Sequence, residues 1–256
     1  MTTVPTEAWS PGDYGNFRDA RRRPFFDLLA MVERSPSPRL VLDAGCGTGE
    51  LTHEAHRALG AQHTIGVDAS SAMLAQARAE GGVTFHQGTV PDGLPDGPFD
   101  VILSNSALNW VADHASVLAA LARRLGPSGQ LAVQMPYNVD APFSRCCQAV
   151  AESPEFKGEL EGYVYESPVQ PPEFYARALD ALGFVAVRAG AWLYPQRHAD
   201  VGGLVDFARG GLLSAYRPRL APARFEAFVG AYREALQAAL NEAASRQQGA
   251  EALRDR

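Results

Sequence analysis

The stretch Val41-Leu-Asp-Ala-Gly-Cys-Gly-Thr-Gly49 decides the fold of this chain. It opens on an apolar run, Leu40 to Leu42, bounded by Pro38 on one side and by glycines on the other. That is the pattern of a buried parallel strand. Gly45, Gly47 and Gly49 follow, and Glu50 to Leu59 then reads as a helix closed by Gly60. Strand, glycine turn, helix is a geometry that holds a nucleotide-like ligand. Glycine lets the backbone turn tightly and pass close to a ligand, and the helix N-terminus presents N–H groups.

The glycines alternate as G-x-G-x-G, not as the G-x-G-x-x-G of a dinucleotide site. Asp43 stands just ahead of them. A carboxylate there repels a pyrophosphate and attracts an ammonium group or ribose hydroxyls. The loop therefore suits a ligand with a ribose and a positive amino group but no phosphate, a description that S-adenosylmethionine meets. On the glycines alone, a tight turn with no ligand is the other reading. A second acid, Asp68, ends the strand His63–Val67, at about the separation expected of an acid that takes ribose hydroxyls.

Composition narrows the class. A chain of 256 residues, 46% hydrophobic, fits one α/β domain with an added lobe, or two small domains. The formal charge of −6 disfavours nucleic acid as a partner. No run of about 18 apolar residues occurs, so no membrane span is expected. Residues 1–12 are polar and lack a signal-peptide core. Cys46, Cys146 and Cys147 make no disulfide framework and no zinc spacing. The expectation is a cytoplasmic, metal-free protein with free thiols.

Taken in order, residues 1–19 read as a loop in which Trp9, Tyr14 and Phe17 either cover a pocket or pack on the domain surface. A helix is expected over Phe25–Arg34. Arg21 to Arg23 form a solvated face, unless one points inward to clamp an anion. Ser70 is a good N-cap for a helix Ser71–Ala79. On it, Met73 either lies against an adenine or packs as a core methionine. Strands are expected at Val83–Gln87, Phe99–Leu103 and Gln130–Gln134, with a helix Ala115–Leu125 stopped by Gly126-Pro127. Strand–helix alternation through Gln134 is the signature of a doubly wound, mostly parallel α/β sheet. Asn105 and Ser106 follow the fourth strand, on the edge where such sheets bind ligands. Three regions result: an arm and helix at 1–34, a ligand-binding core at 35–138, and a helical lobe at 139–256. The last carries helices at Phe143–Ala151, Pro172–Leu182, Val201–Tyr216 and Pro222–Gln247. It also carries a remaining strand, Phe184–Arg188 with Ala191–Tyr194.

Val41–Gly49 resembles the first motif of class I S-adenosylmethionine-dependent methyltransferases. Trp9-Ser-Pro-Gly-Asp-Tyr14, Phe17, Arg21-x-Arg23-Pro24 and Asp68-Ala-Ser-Ser-Ala-Met73 extend the likeness. So do Asn105-x-Ala107-Leu108-x-Trp110, Asp113-His114, and Val133-Gln-Met-Pro136 with Asn138. Together they are similar to the trans-aconitate methyltransferases, well over residues 9–140 and loosely over 141–235. The resemblance implies a Rossmann-like sheet in the order 3-2-1-4-5-7-6 with strand 7 antiparallel. It implies S-adenosylmethionine as cofactor and S-adenosylhomocysteine as product. The reaction would be methyl transfer to one carboxylate of trans-aconitate or a related small polycarboxylate, giving a monomethyl ester. Carried over residue by residue, Tyr14, Asp43, Gly45, Cys46, Gly47, Asp68, Ala69, Met73, Gly88, Thr89, Val90, Asn105 and Ser106 would hold the cofactor. Arg21, Arg23, Gln134 and Asn138 would hold the substrate, with Arg209 and Arg217 as further cations. Tyr14 and Trp110 would align the methyl.

A carboxylate is already ionised at neutral pH, so no general base is expected. His114 reads either as a base or as a satisfied histidine. Two departures stand out. Thr89 replaces the acid that many class I enzymes place after the third strand. The segment Ala243–Arg256 is polar and helix-prone where the family returns a seventh strand, so that strand is missing or replaced from upstream. Strand 5 would then keep an open edge, in a monomer or weak homodimer. Other acceptors, or cofactor binding without catalysis, remain as alternative readings.

Overall fold

A computed structural model describes residues 18–33 and 39–254, with side chains for 22–33 and 39–246. Trp9, Tyr14 and Phe17, and the side chain of Arg21, lie outside the described residues. Two compact units are present. The first comprises, among the described residues, 18–137 and 167–196.

In this first unit β1 (Leu40–Ala44) is the middle of a five-stranded sheet. It is flanked by β2 (His63–Asp68) and β4 (Phe99–Asn105), with β3 (Val83–Gln87) and β5 (Leu125–Gln134) outside, in the order β3-β2-β1-β4-β5. Every pairing is parallel, with Val41 opposite Thr64 on one side and Val101 on the other. Side chains alternate across a strand, and the two cores follow from that. Leu42, Ala44 and Ile102 join Val117 and Leu121 of α4 (His114–Ala122) on one face. Val41, Val101 and Leu103 join Phe25 and Leu29 of α1 (Arg18–Met31) and Ala55 of α2 (Glu50–Leu59) on the other.

Several local expectations need correction. Helix α1 begins before Pro24 rather than after it. Helix α3 spans only Ser71–Leu74, although Ser70 caps it by accepting from the Met73 N–H at 3.3 Å. Composition favoured a longer helix, but the Arg78 carbonyl bonds to the His53 ring at 2.9 Å instead. Gly126-Pro127 does not end a helix at Leu125. Helix α4 stops at Ala122, and β5 starts at Leu125 opposite Phe99, with a register shift before Gln130. Arg124 fixes that corner by donating to the carbonyls of Pro95 and Ala120.

The expected strand at Phe184–Arg188 and Ala191–Tyr194 is absent. The segment follows α6 (Pro172–Ala181) as irregular chain, with Val185 and Leu193 fully exposed. A β-rich sequence becomes a strand only when a ladder receives it. Here Arg188 pairs with Glu33 and Tyr194 donates to Asp27, ties made by side chains and not by a strand ladder. No described strand lies beyond β5. Among the described residues the sheet has five strands where the resemblance implied seven, and the tail through Arg254 is helical, as its composition led one to expect.

The second unit comprises 138–166 and 197–254 among the described residues. It contains α5 (Pro142–Ala151), α7 (Val201–Arg209), two 3-10 turns at Leu212–Ala215 and Arg217–Arg219, and α8 (Pro222–Arg254). The expected helix Val201–Tyr216 is therefore broken, at the pair Gly210-Gly211. Phe225, Phe228, Val229, Tyr232 and Leu236 are buried along one stripe of α8. Tyr216 stacks on Phe228 at 4.7 Å. Residues 167–196 group with the sheet unit instead of with this helical one. No described helix is long and apolar enough to cross a membrane.

Candidate active site

The glycine loop leaves β1 at the carboxyl end of the sheet. Gly45 and Cys46 both donate to the Val67 carbonyl of β2, at 2.7 and 3.0 Å, which pulls the loop across the sheet edge. Two of its glycines are required for different reasons. A Cβ on Gly45, at φ 91°, would stand 2.1 Å from the Ala107 Cβ, so the close approach of two loops excludes any side chain there. Gly47, at φ 56°, has nothing within 4 Å of that position. Its turn demands glycine, and the space above it is open.

The two acids differ. Asp68 accepts the Gly47 N–H on Oδ2 at 2.9 Å and the Ser70 N–H on Oδ1 at 2.8 Å. It braces the glycine loop and keeps a second acceptor position on each oxygen. Asp43 is buried, 3% exposed, and its Oδ2 accepts the Thr52 hydroxyl of α2 at 2.6 Å. Burial pushes its carboxyl from 3.8 up to about 6; the Thr52 hydrogen bond opposes this and the Asp68 charge adds to it. Asp43 thus joins the end of β1 to α2 and is turned away from solvent. Burial, together with these same acids, also pushes the Cys46 thiol up, so it stays protonated.

The other expected residues separate as clearly. Met73 is 5% exposed and packs as a core methionine. Ala69 lends its carbonyl to the Gln87 side chain at 3.2 Å. Gly88 donates to the Asp68 carbonyl, and Gly93 to that of Thr89, closing the turn after β3 in which Val90 sits; the Thr89 side chain is exposed. Asn105 ends β4 with its Oδ1 buried and accepting no hydrogen bond. Ser106, at φ 55°, donates from N–H to the Gln134 carbonyl at 2.9 Å and from Oγ to Gln134 Oε1 at 3.1 Å. Gln134, expected on the substrate, therefore holds Ser106. Trp110 is half-buried at the end of a 3-10 turn, Leu108–Trp110.

The described arginines make contacts of their own, and Arg21 lies outside the described side chains. Arg22 pairs with Glu50 and Glu54, and the Arg23 guanidinium lies over the Tyr194 ring at 5.6 Å. In the helical unit Arg209 makes a bidentate pair with Glu226, Arg217 lies over Phe225 at 5.2 Å, and Asn138 is exposed. His114 is buried with both ring nitrogens bonded, which is a satisfied histidine and not a base. Sequence reading missed Thr52 and Tyr175, and quoted Ala107 only as part of a family string, without its contact to Gly45. Thr52, placed to reach back from the first turn of α2 to an acid at a strand end, carried a signal. Tyr175 and the Ala107–Gly45 contact carried none, since their partners come from distant segments.

Residues 39–169 match the family model described as Methyltransferase domain. The chain belongs to that family. A trans-aconitate 2-methyltransferase of Deinococcus radiodurans is 39% identical over 238 residues, covering 90% of each chain. Another, from Streptomyces avermitilis, is 36% identical and covers 91% of this chain and 89% of its own. Among solved structures, a chain of the complex between the Haloferax volcanii Trm112 methyltransferase activator and a methyltransferase aligns with a TM-score of 0.54 at 21% identity. It covers 72% of this chain and 77% of that one, a likeness of fold. This methyltransferase uses S-adenosylmethionine. Two features of the sheet edge fit that cofactor: the open space over Gly47, and the buried Asn105 Oδ1, an acceptor with no hydrogen bond among the described residues.

Proposed function

We propose that this methyltransferase esterifies one carboxylate of trans-aconitate or a closely related small polycarboxylate. The observation that carries the reading is that relatives named for this reaction match over nine-tenths of both chains. When bound, S-adenosylmethionine supplies a sulfonium methyl, which a carboxylate oxygen takes as the carbon–sulfur bond breaks and S-adenosylhomocysteine leaves. The protein's part is alignment and removal of water, since the acceptor is already ionised. Gly47 leaves room for the methionyl chain, Asn105 Oδ1 accepts from its ammonium group, and the remaining acceptor positions of Asp68 receive the ribose hydroxyls. Asp43 and Thr52 hold this edge rigid from beneath. The test is incubation with cofactor and trans-aconitate, followed by mass spectrometry. A product heavier by one methylene, lost on mild alkaline hydrolysis, is expected; an unmodified acid overturns the reading.

One observation favours a second reading, transfer to a hydroxyl or amine. Arg22 pairs with Glu50 and Glu54, and the Arg23 guanidinium lies over the Tyr194 ring, contacts that a hydroxyl or amine acceptor would leave undisturbed. Such an acceptor needs a base, so its pH–rate profile would fall on the acid side near pH 6–7, whereas a carboxylate acceptor gives a flat one.

A further inference from the structure

Three ties on the loop between β4 and α4 bear on the site. Ser106 is tied to Gln134, and Ala107 abuts Gly45. The third tie lies farther along, at Leu108, the first residue of the 3-10 turn that ends at Trp110. The Leu108 carbonyl accepts from the Val111 N–H at 3.0 Å and lies 2.9 Å from His114 Nε2. A carbonyl only accepts, so Nε2 carries the proton. His114 Nδ1 lies 2.6 Å from the Tyr175 hydroxyl, which itself accepts the Gln170 N–H at 2.9 Å. In the neutral imidazole Nδ1 must then accept the Tyr175 proton. Every donor has a direction: Gln170 N–H to Tyr175, Tyr175 O–H to His114, His114 Nε2–H to Leu108.

We infer that His114 and Tyr175 are positioning residues for methyl transfer, fixing the Leu108–Trp110 turn through the Leu108 carbonyl. This rests on the reading, implied by the family resemblance, that Trp110 lies beside the transferred methyl. The first two ties hold Asn105 to Ala107 without His114, so cofactor binding and turn position are separable. A turn displaced by about 1 Å leaves binding intact and slows transfer by up to about 100-fold.

Three substitutions separate this role from simple packing. Tyr175→Phe keeps the ring and removes the O–H. His114→Asn keeps a group near Nδ1 and removes the Nε2 donor. His114→Gln keeps a donor within reach of Leu108. The expected result is a kcat reduced about tenfold or more in Tyr175→Phe and His114→Asn, partly restored in His114→Gln. The Kd for S-adenosylhomocysteine stays within twofold throughout. A readout independent of the acceptor is acrylamide quenching of Trp110 in a Trp9→Phe/Trp192→Phe background. Quenching should rise with Tyr175→Phe and His114→Asn and not with His114→Gln. Unchanged kcat and quenching in those two overturn the inference, as does loss of cofactor affinity in step with kcat. A parent enzyme inactive on trans-aconitate, with the quenching pattern intact, refutes only the proposed acceptor.

Discussion

Strands β1 and β5 belong to the same sheet and differ in what surrounds them. Val41, Leu42 and Ala44 of β1 are 0% exposed, while no residue of β5 is fully buried. β1 has a ladder on each side and a helix-borne core on each face; β5 has one ladder. In the same unit, Val185 and Leu193 stand fully exposed on a segment rich in strand-forming residues. The contrast teaches that strand identity is conferred by a neighbour. Leu40–Ala44 would be a strand in almost any α/β protein because both its flanks are filled. Phe184–Tyr194 has the composition of a strand and lacks the ladder that would make it one.

Three measurements break or sharpen this contrast. The largest effect is expected at the packed side. Gly45→Val puts a branched side chain at φ 91° against Ala107 and should cost roughly 2–5 kcal/mol in urea unfolding. A loss below about 1 kcal/mol means that the two loops are not in contact. Next comes the buried acid. A carboxyl whose folded value is raised favours the folded state most when protonated. Its contribution is complete below about pH 4 and is lost as pH rises through about 6. At about 1.4 kcal/mol per pKa unit the swing is about 3 kcal/mol. Asp43→Asn, which still accepts from Thr52, should flatten the fall in stability between pH 4 and 7. An equal difference from the parent at both pH values removes the buried-acid account. The smallest effect belongs to the open side. Val185→Ser with Leu193→Ser should change unfolding free energy by no more than about 0.5 kcal/mol. A loss of 2 kcal/mol indicates that the segment is paired in solution.

The same contrast explains what the sequence made legible. Leu40–Gly60 was readable because each local signal agreed: apolar run, glycines where the turn needs them, Gly60 closing α2 in a left-handed conformation at φ 62°. The shortened α3 and the late end assigned to α4 were misread because a distant bond decided each, His53 to Arg78 and Arg124 to Pro95. At the site the positions of Asp43 and Asp68 were legible, but not their division of labour. Which carboxylate is buried depends on Thr52 and on the core beneath it. Gln134 and His114 were noticed as polar residues at a functional edge. Their partners, Ser106 and Tyr175, lie 28 and 61 residues away, and no spacing rule reaches that far.

The clasp formed by Asp68 on Gly47 and Ser70 has a calorimetric consequence. Because the bend is already secured on both arms, an incoming nucleoside meets a finished mould. Ordering of this bend is then no part of the capture, so the glycine loop itself should add nothing to the heat-capacity change beyond the apolar area of the small molecule.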